Sequence, residues 1–154
     1  MKENIVINNK EDIVKIIDAV IDFNVPVVAN LSNLSRLIMD TFKGTSWSGF
    51  YLTTNNILYL GPFQGDIACT TIPFGKGVCG VAAKTKVTQV VPDVHQYPGH
   101  IACSNKTNSE IVVPIIKDDL VVGVIDLDSE NYNNYDENDR RLLESISKKI
   151  AKLF

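Results

Sequence analysis

Between Val91 and Pro114 the chain reads VPDVHQYPGHIACSNKTNSEIVVP. Both of its histidines, His95 and His100, one of its three cysteines, Cys103, and the carboxylate Glu110 fall inside that stretch. Pro92, Pro98 and Gly99 break helix and strand periodicity, so the segment reads as a loop that drops into the apolar run Ile111–Ile116. Long ordered loops within compact domains tend to be functional. A cysteine there is either an inert buried thiol or a reactive one, and we read Cys103 as redox-active. Cys69 and Cys79 precede it. No two cysteines form a Cys-x-x-Cys pair, so their spacing offers no structural zinc site, and an odd number argues against a secreted disulfide framework.

A second group of chemical side chains lies downstream. Asp126 and Asp128 stand two apart in the run LVVGVIDLD, which puts both on one face of a strand, with Cα atoms roughly 6.5 Å apart. Either the strand is fraying there into the polar loop DSENYNNYDEN, or the two aspartates join Glu110 on the preceding strand. Register decides between these. A regular two-residue Asp118-Asp119 turn pairs Lys117 with Leu120 and sets Glu110 opposite Leu127, facing away from both aspartates. One extra residue in the loop, or a bulge, for which Pro114 is the natural place because it lacks an N–H, sets Glu110 opposite Asp126 instead. We therefore expect a bulge or an odd loop between Glu110 and Asp126.

Clustered carboxylates repel one another, so at least one should hold a proton near neutral pH. Such an acid could protonate an oxygen on a substrate while a nearby thiolate attacks the atom bearing it. Sulfoxide reduction needs that pairing. It also needs a second thiol, because the attacked cysteine becomes a sulfenic acid that condenses with a thiol to give a disulfide.

The elements that must hold these groups follow from periodicity. Ile13, Ile16, Ile17, Val20 and Ile21 predict an amphipathic helix over residues 11–23. Asn24 is the expected cap of a second helix, with Pro26 in its first turn, ending near Lys43-Gly44. WSGFYL and NILYL predict two strands joined by Thr53–Asn56. Trp47, Gly49 and Tyr51 then share one face, Phe50 and Leu52 the other. Trp47 is core packing or an aromatic wall for a small apolar group such as an S-methyl. GPFQGDIAC reads as irregular. A short helix is expected over Val78–Lys84. Cys79 in its first turn either feels the positive helix end, which lowers its pKa, or simply packs closely among small residues. VTQVV, SEIVVPII and LVVGVIDLD are further strands, and Asp136–Asp139 caps a closing helix with Leu142, Leu143, Ile146 and Ile150 inward. Strand hairpins with helices grouped at the chain ends predict an α+β fold around an antiparallel sheet, a single domain over residues 1–154.

Composition excludes several classes. A net charge of −3 without a basic stripe gives no attraction for nucleic acid or an anionic membrane. No apolar run approaches the ~18 residues that span a bilayer, and charged residues interrupt every apolar run near the start. The expectation is a cytoplasmic protein.

WSGFYL, LGPFQG with Cys69, GKGVCG with Cys79, VPDVHQYPGHIAC with Cys103, and SEIVVP together resemble the free methionine-(R)-sulfoxide reductases, small enzymes built on a GAF domain. The resemblance runs from about Asn30 to Phe154. It implies a GAF-like fold, with N- and C-terminal helices on one side of a central antiparallel sheet and ligand-enclosing loops on the other. It further implies Cys103 as the catalytic cysteine, Cys69 as its disulfide partner and Cys79 as a secondary resolving thiol. Trp47 and Tyr51 match aromatics of a methyl pocket, and Glu110, Asp126 and Asp128 match carboxylates that engage the sulfoxide or the substrate amine. Free methionine-(R)-sulfoxide as substrate, thioredoxin as reductant, a homodimer, and no cofactor or metal complete what the resemblance implies. One departure is Ser104, where the family pattern often has Asp. His100 is expected to fix the loop rather than tune Cys103, and His95 and Tyr97 to be loop residues. The alternative is a non-catalytic GAF sensor of a small ligand or redox state. It fits poorly with a chain that carries both proposed redox cysteines and no attached effector domain.

Overall fold

The computed structural model describes residues 5–154. Its elements are α1 (Ile13–Val20), α2 (Val27–Thr41), β1 (Thr45–Thr54), β2 (Ile57–Gln64), β3 (Thr71–Pro73), α3 (Gly77–Thr85), β4 (Gln89–Val91), β5 (Ser109–Lys117), β6 (Leu120–Ser129) and α4 (Glu137–Ala151), with single 3-10 turns at Lys10–Asp12 and Val94–Gln96. The six strands form one antiparallel sheet in the order β3-β2-β1-β6-β5-β4.

Strand alternation splits the apolar side chains into two layers. Phe50, Ile111, Val113, Ile115, Ile125 and Leu127 pack under α1, α2 and α4, where Ile17, Leu31, Ile38, Leu143 and Ile146 meet them, all buried. Each such side chain contributes about 1.5–3 kcal/mol when fully withdrawn from water, and this layer fixes the sheet. On the other face Trp47, Tyr51, Val112 and Val124 pack with α3 and its flanking loops. α4 starts where the sequence places it: Asp136 and Asp139 exchange side-chain-to-backbone hydrogen bonds in a capping box.

Two local expectations are corrected. Asn24 does not cap α2; Pro26 occupies the N-cap, because the Asn24 N–H and amide are drawn back to Asp22 Oδ1. The buried Asn30 then clamps the α1–α2 connection through both the N–H and the carbonyl of Asp22. Gly61–Gln64 is not irregular but continues β2, with one extra residue opposite the Gly49–Tyr51 step. Pro62, without an N–H, suits that bulge.

The β5–β6 hairpin closes with a regular two-residue turn, Asp118 and Asp119 at φ +50° and +64°, and Lys117 pairs with Leu120. The expected bulge is present, but on β6 rather than at Pro114: Ile116 pairs with Val121 and Ile115 with Gly123, leaving Val122 as the extra residue. The shift therefore runs the other way, and Glu110 stands opposite Asp128, not Asp126. Gly123 follows Val122 on β6 in close approach to the β1 backbone. A Cβ on it would sit 2.5 Å from the carbonyl oxygen of Tyr51 on β1.

Candidate active site

The β6 bulge and a further irregularity in β1 between Thr45 and Trp47 line up one row across the sheet: Trp47 opposite Asp128, Asp128 opposite Glu110, Glu110 opposite Val91. The neighbouring row holds Gly49, Asp126 and Val112. Opposed residues share a face, so all three carboxylates project to the side of α3, away from the large core. The strand does not fray at Asp126 and Asp128; both lie within β6.

Above the carboxylates lie the thiols. Cys69 and Cys103 form a disulfide with Cα atoms 5.5 Å apart across a sequence separation of 34 residues, and both are half-buried. Cys79 is a free, buried thiol, its Sγ 3.9 Å from Glu110 Oε1. Trp47 and Tyr51 hold the Cys69 loop as well as lining the cavity. The Trp47 indole N–H donates to the Asp66 carbonyl at 3.0 Å, and the Tyr51 hydroxyl donates to the Cys69 carbonyl at 2.9 Å. Trp47 stacks between Tyr51 and Phe63. Lys106 reaches across from the Cys103 loop to Asp66 at 3.4 Å, an exposed pair worth little by itself.

Carboxylates, thiols and aromatics enclose a cavity of about 40 Å³, further lined by His100, Ile101 and Thr107. At 10–15 Å³ per water it has room for roughly three. Burial dominates the electrostatics. Desolvation, reinforced by Asp128, pushes Glu110 up to about 8. Desolvation and the neighbouring acids also raise Asp126 and Asp128 well above the usual carboxylate range. Asp126 Oδ1 and Asp128 Oδ1 are closed off from solvent and accept no hydrogen bond from the described residues.

Cys79 departs from one of the two readings of its position. It does sit in the first turn of α3, but desolvation, Asp126 and Glu110 raise its pKa well above that of a free thiol. The helix end is outweighed by burial beside two acids. His100 Nε2 lies 3.7 Å from Glu110 Oε2. Burial lowers its pKa, which favours the neutral ring. His95 bonds Asn108 away from the cavity, and Tyr97 bonds Gln89 on β4. Ile101 and Thr107 were not legible as site residues. The signal for Ile101 lies at Gly77, at φ +61°, where a Cβ would stand 3.1 Å from the Ile101 side chain; the glycine of GKGVCG makes room for a side chain that closes the cavity.

Gly49 has the same function for Trp47. A Cβ on Gly49 would lie 2.6 Å from the indole and 2.5 Å from Phe63 Cβ. Gly49→Ala is expected to cost about 1–3 kcal/mol of stability through overpacking and to free the Asp66–Cys69 loop. Chemical denaturation and the midpoint for reduction of the Cys69–Cys103 disulfide would both register it; a variant unchanged in both would show that the indole has slack.

The GAF domain family matches residues 28–154. The Saccharomyces cerevisiae free methionine-R-sulfoxide reductase is 50% identical over 94% of this chain and 87% of its own. The Escherichia coli free methionine-R-sulfoxide reductase is 40% identical over 82% of this chain and 76% of its own. The Neisseria meningitidis free methionine-R-sulfoxide reductase, solved in complex with its substrate, superposes with a TM-score of 0.88 at 40% identity, covering 98% of this chain and 93% of that one. Matched in sequence along nearly its whole length and in the geometry of its sheet, the chain belongs to the free methionine-R-sulfoxide reductase family of GAF domains.

Proposed function

We propose that this protein reduces free L-methionine-(R)-sulfoxide to L-methionine. Cys103 attacks the sulfoxide sulfur while the carboxylate group supplies a proton to its oxygen. The S–O bond breaks and its oxygen leaves as water. Water then attacks the Cys103 sulfur of the resulting sulfonium, the Cys103–substrate S–S bond breaks, methionine leaves, and Cys103 is left as a sulfenic acid. The Cys69 thiol attacks that sulfur, water departs, and the Cys69–Cys103 disulfide forms. A dithiol protein of the thioredoxin class returns both thiols by exchange. The observation that carries this reading is the disulfide itself, which joins two loops over a cavity floored by three carboxylates.

The remaining assignments rest on chemistry. Trp47 and Tyr51 form the wall against which the S-methyl packs. Among Glu110, Asp126 and Asp128, at least one is the neutral acid, and ionised members attract the substrate ammonium. Cys79, buried and held protonated, is a reserve thiol. Among the described residues no helix is long and apolar enough to cross a membrane. We place the protein in the cytoplasm, where thioredoxin-class reductants operate, as a homodimer, which sedimentation would check.

Methionine release from the free R sulfoxide, the free S sulfoxide and a blocked peptide sulfoxide, each with a thioredoxin recycling system, tests the proposal. Turnover of the free R form alone is expected. Equal turnover of the peptide, or none of any substrate, would overturn it. Cys69→Ser is expected to release about one methionine per chain and then recycle only slowly through Cys79, with sulfenic acid accumulating at Cys103. Sustained turnover with thioredoxin at the wild-type rate would remove Cys69 from the cycle.

A further inference from the structure

Three side chains in the cavity come from three different elements: Cys79 from α3, Glu110 from β5 and Asp126 from β6. One ligand atom from each lies within 4.8 Å of the other two. Their spacing along the chain matches no metal motif; the sheet register and the packing of α3 bring them together. Acids in a group do not by themselves make a metal site. Here Asp126, which lines the cavity and is only 5% exposed, also keeps Oδ1 without a hydrogen-bond partner among the described residues.

We propose that the protein, with its Cys69–Cys103 disulfide formed, binds one borderline divalent cation of the zinc class through Cys79 Sγ, Glu110 and Asp126. Zn–S and Zn–O bonds of about 2.3 and 2.0–2.2 Å put neighbouring ligands on a tetrahedral ion roughly 3.5 Å apart. The Cys79–Glu110 separation of 3.9 Å needs only a small inward adjustment. A thiolate with two carboxylates selects zinc, cadmium or cobalt over calcium and magnesium, which demand six or more oxygen ligands. Three protein ligands leave a fourth position for water or Asp128. A cavity of about 40 Å³ admits an ion with a water or two and excludes an amino acid of ten heavy atoms. Binding releases the thiol proton and any carboxyl proton to solvent and changes no oxidation state. On the reading of function given above, the same ion would also compete with sulfoxide for the carboxylates of the reduced enzyme. The binding itself does not depend on that reading.

The test uses the full chain in its disulfide form, so that neither Cys69 nor Cys103 can ligate. Zinc is titrated against a chromophoric chelator, and cobalt is added separately to look for a thiolate-to-cobalt absorption band. One ion per chain and the band are expected. Cys79→Ser should lose the band. Asp126→Asn should weaken zinc binding by at least about tenfold, the least that loss of even an outer-shell partner costs. Thermal melts would check that each variant is folded, and the wild-type band stands as evidence even if one is not. No stoichiometric binding by the disulfide form, or affinity and band unchanged in both variants, would overturn the proposal. Sulfoxide turnover, measured separately, can fail or succeed without altering either result.

Discussion

Cys103→Ser is expected to release no methionine from free methionine-(R)-sulfoxide, not even one equivalent per chain. Serine has nearly the size of cysteine, but a hydroxyl is neither ionised near neutral pH nor able to become a sulfenic acid. The reaction then loses its first bond-forming step rather than a share of its rate. Cys79 should not substitute, because burial beside Asp126 and Glu110 holds it as a thiol. The comparison belongs with reduced wild type. Closing a loop between positions 34 residues apart contributes about 4 kcal/mol in a chain-entropy model, so the oxidised form would differ in stability for reasons unrelated to chemistry. Quantifying methionine against enzyme in a single reduced batch decides the matter; one equivalent or more from Cys103→Ser would end the mechanism.

Glu110→Gln should be nearly as damaging to the chemical step and much gentler on the fold. Glu110 is fully enclosed, and desolvation together with Asp128 holds it at about 8, so near neutral pH it is mostly a neutral acid facing the cavity. Glutamine matches that form in shape and polarity but cannot give up a proton. General acid catalysis is worth about 10²–10⁴-fold, and single-turnover methionine release should fall by that order. A rate within a few-fold of wild type would move the acid role to Asp126 or Asp128. The same side chain also makes stability depend on pH. Its folded-state pKa lies above the ordinary 4.5, so between about 4.5 and 8 the unfolded chain has lost a proton that the native protein keeps. Stability therefore falls as pH rises through that window and levels off above it, a change of a few kcal/mol. Denaturation midpoints for wild type should be higher at pH 5 than at pH 8, and Glu110→Gln should flatten the slope. Asp126, Asp128, Cys79 and His100 also face Glu110, so part of the slope remains. An identical slope in the variant would mean that Glu110 is not the group responsible.

What the sequence made legible follows from how local each cause is. The alternation of Trp47 and Tyr51 with Phe50 and Leu52 needs only the two-residue period of a strand, so their division between two faces is legible, while which face meets the helices comes from the family resemblance. The α4 cap and the Asp118-Asp119 turn are decided within four residues. The bulge could be inferred because three acids on two strands otherwise face apart, yet its strand could not. Pro114 advertises a missing N–H, whereas the bulge falls beside Gly123, which closely approaches the Tyr51 carbonyl of a strand more than seventy positions earlier. Cys79 was ambiguous for the same reason. A helix end acts over one turn and can be read from GKGVCG, but the desolvation that outweighs it comes from β5 and β6. The grip of Trp47 and Tyr51 on the Cys69 loop depends on backbone carbonyls, which carry no residue signature at all.

The extra residue at Val122 does more than aim side chains. Were β6 to pair one position out of step with its neighbours, Asp126 and Asp128 would swing into the apolar layer beneath α2 and α4, while Ile125 and Leu127 would turn toward the cavity. Sinking two aspartates among leucines and isoleucines without partners costs several kcal/mol each. Acids buried on the cavity face thus also act as proofreaders of strand pairing, making the mis-slipped hairpin a poor competitor during folding.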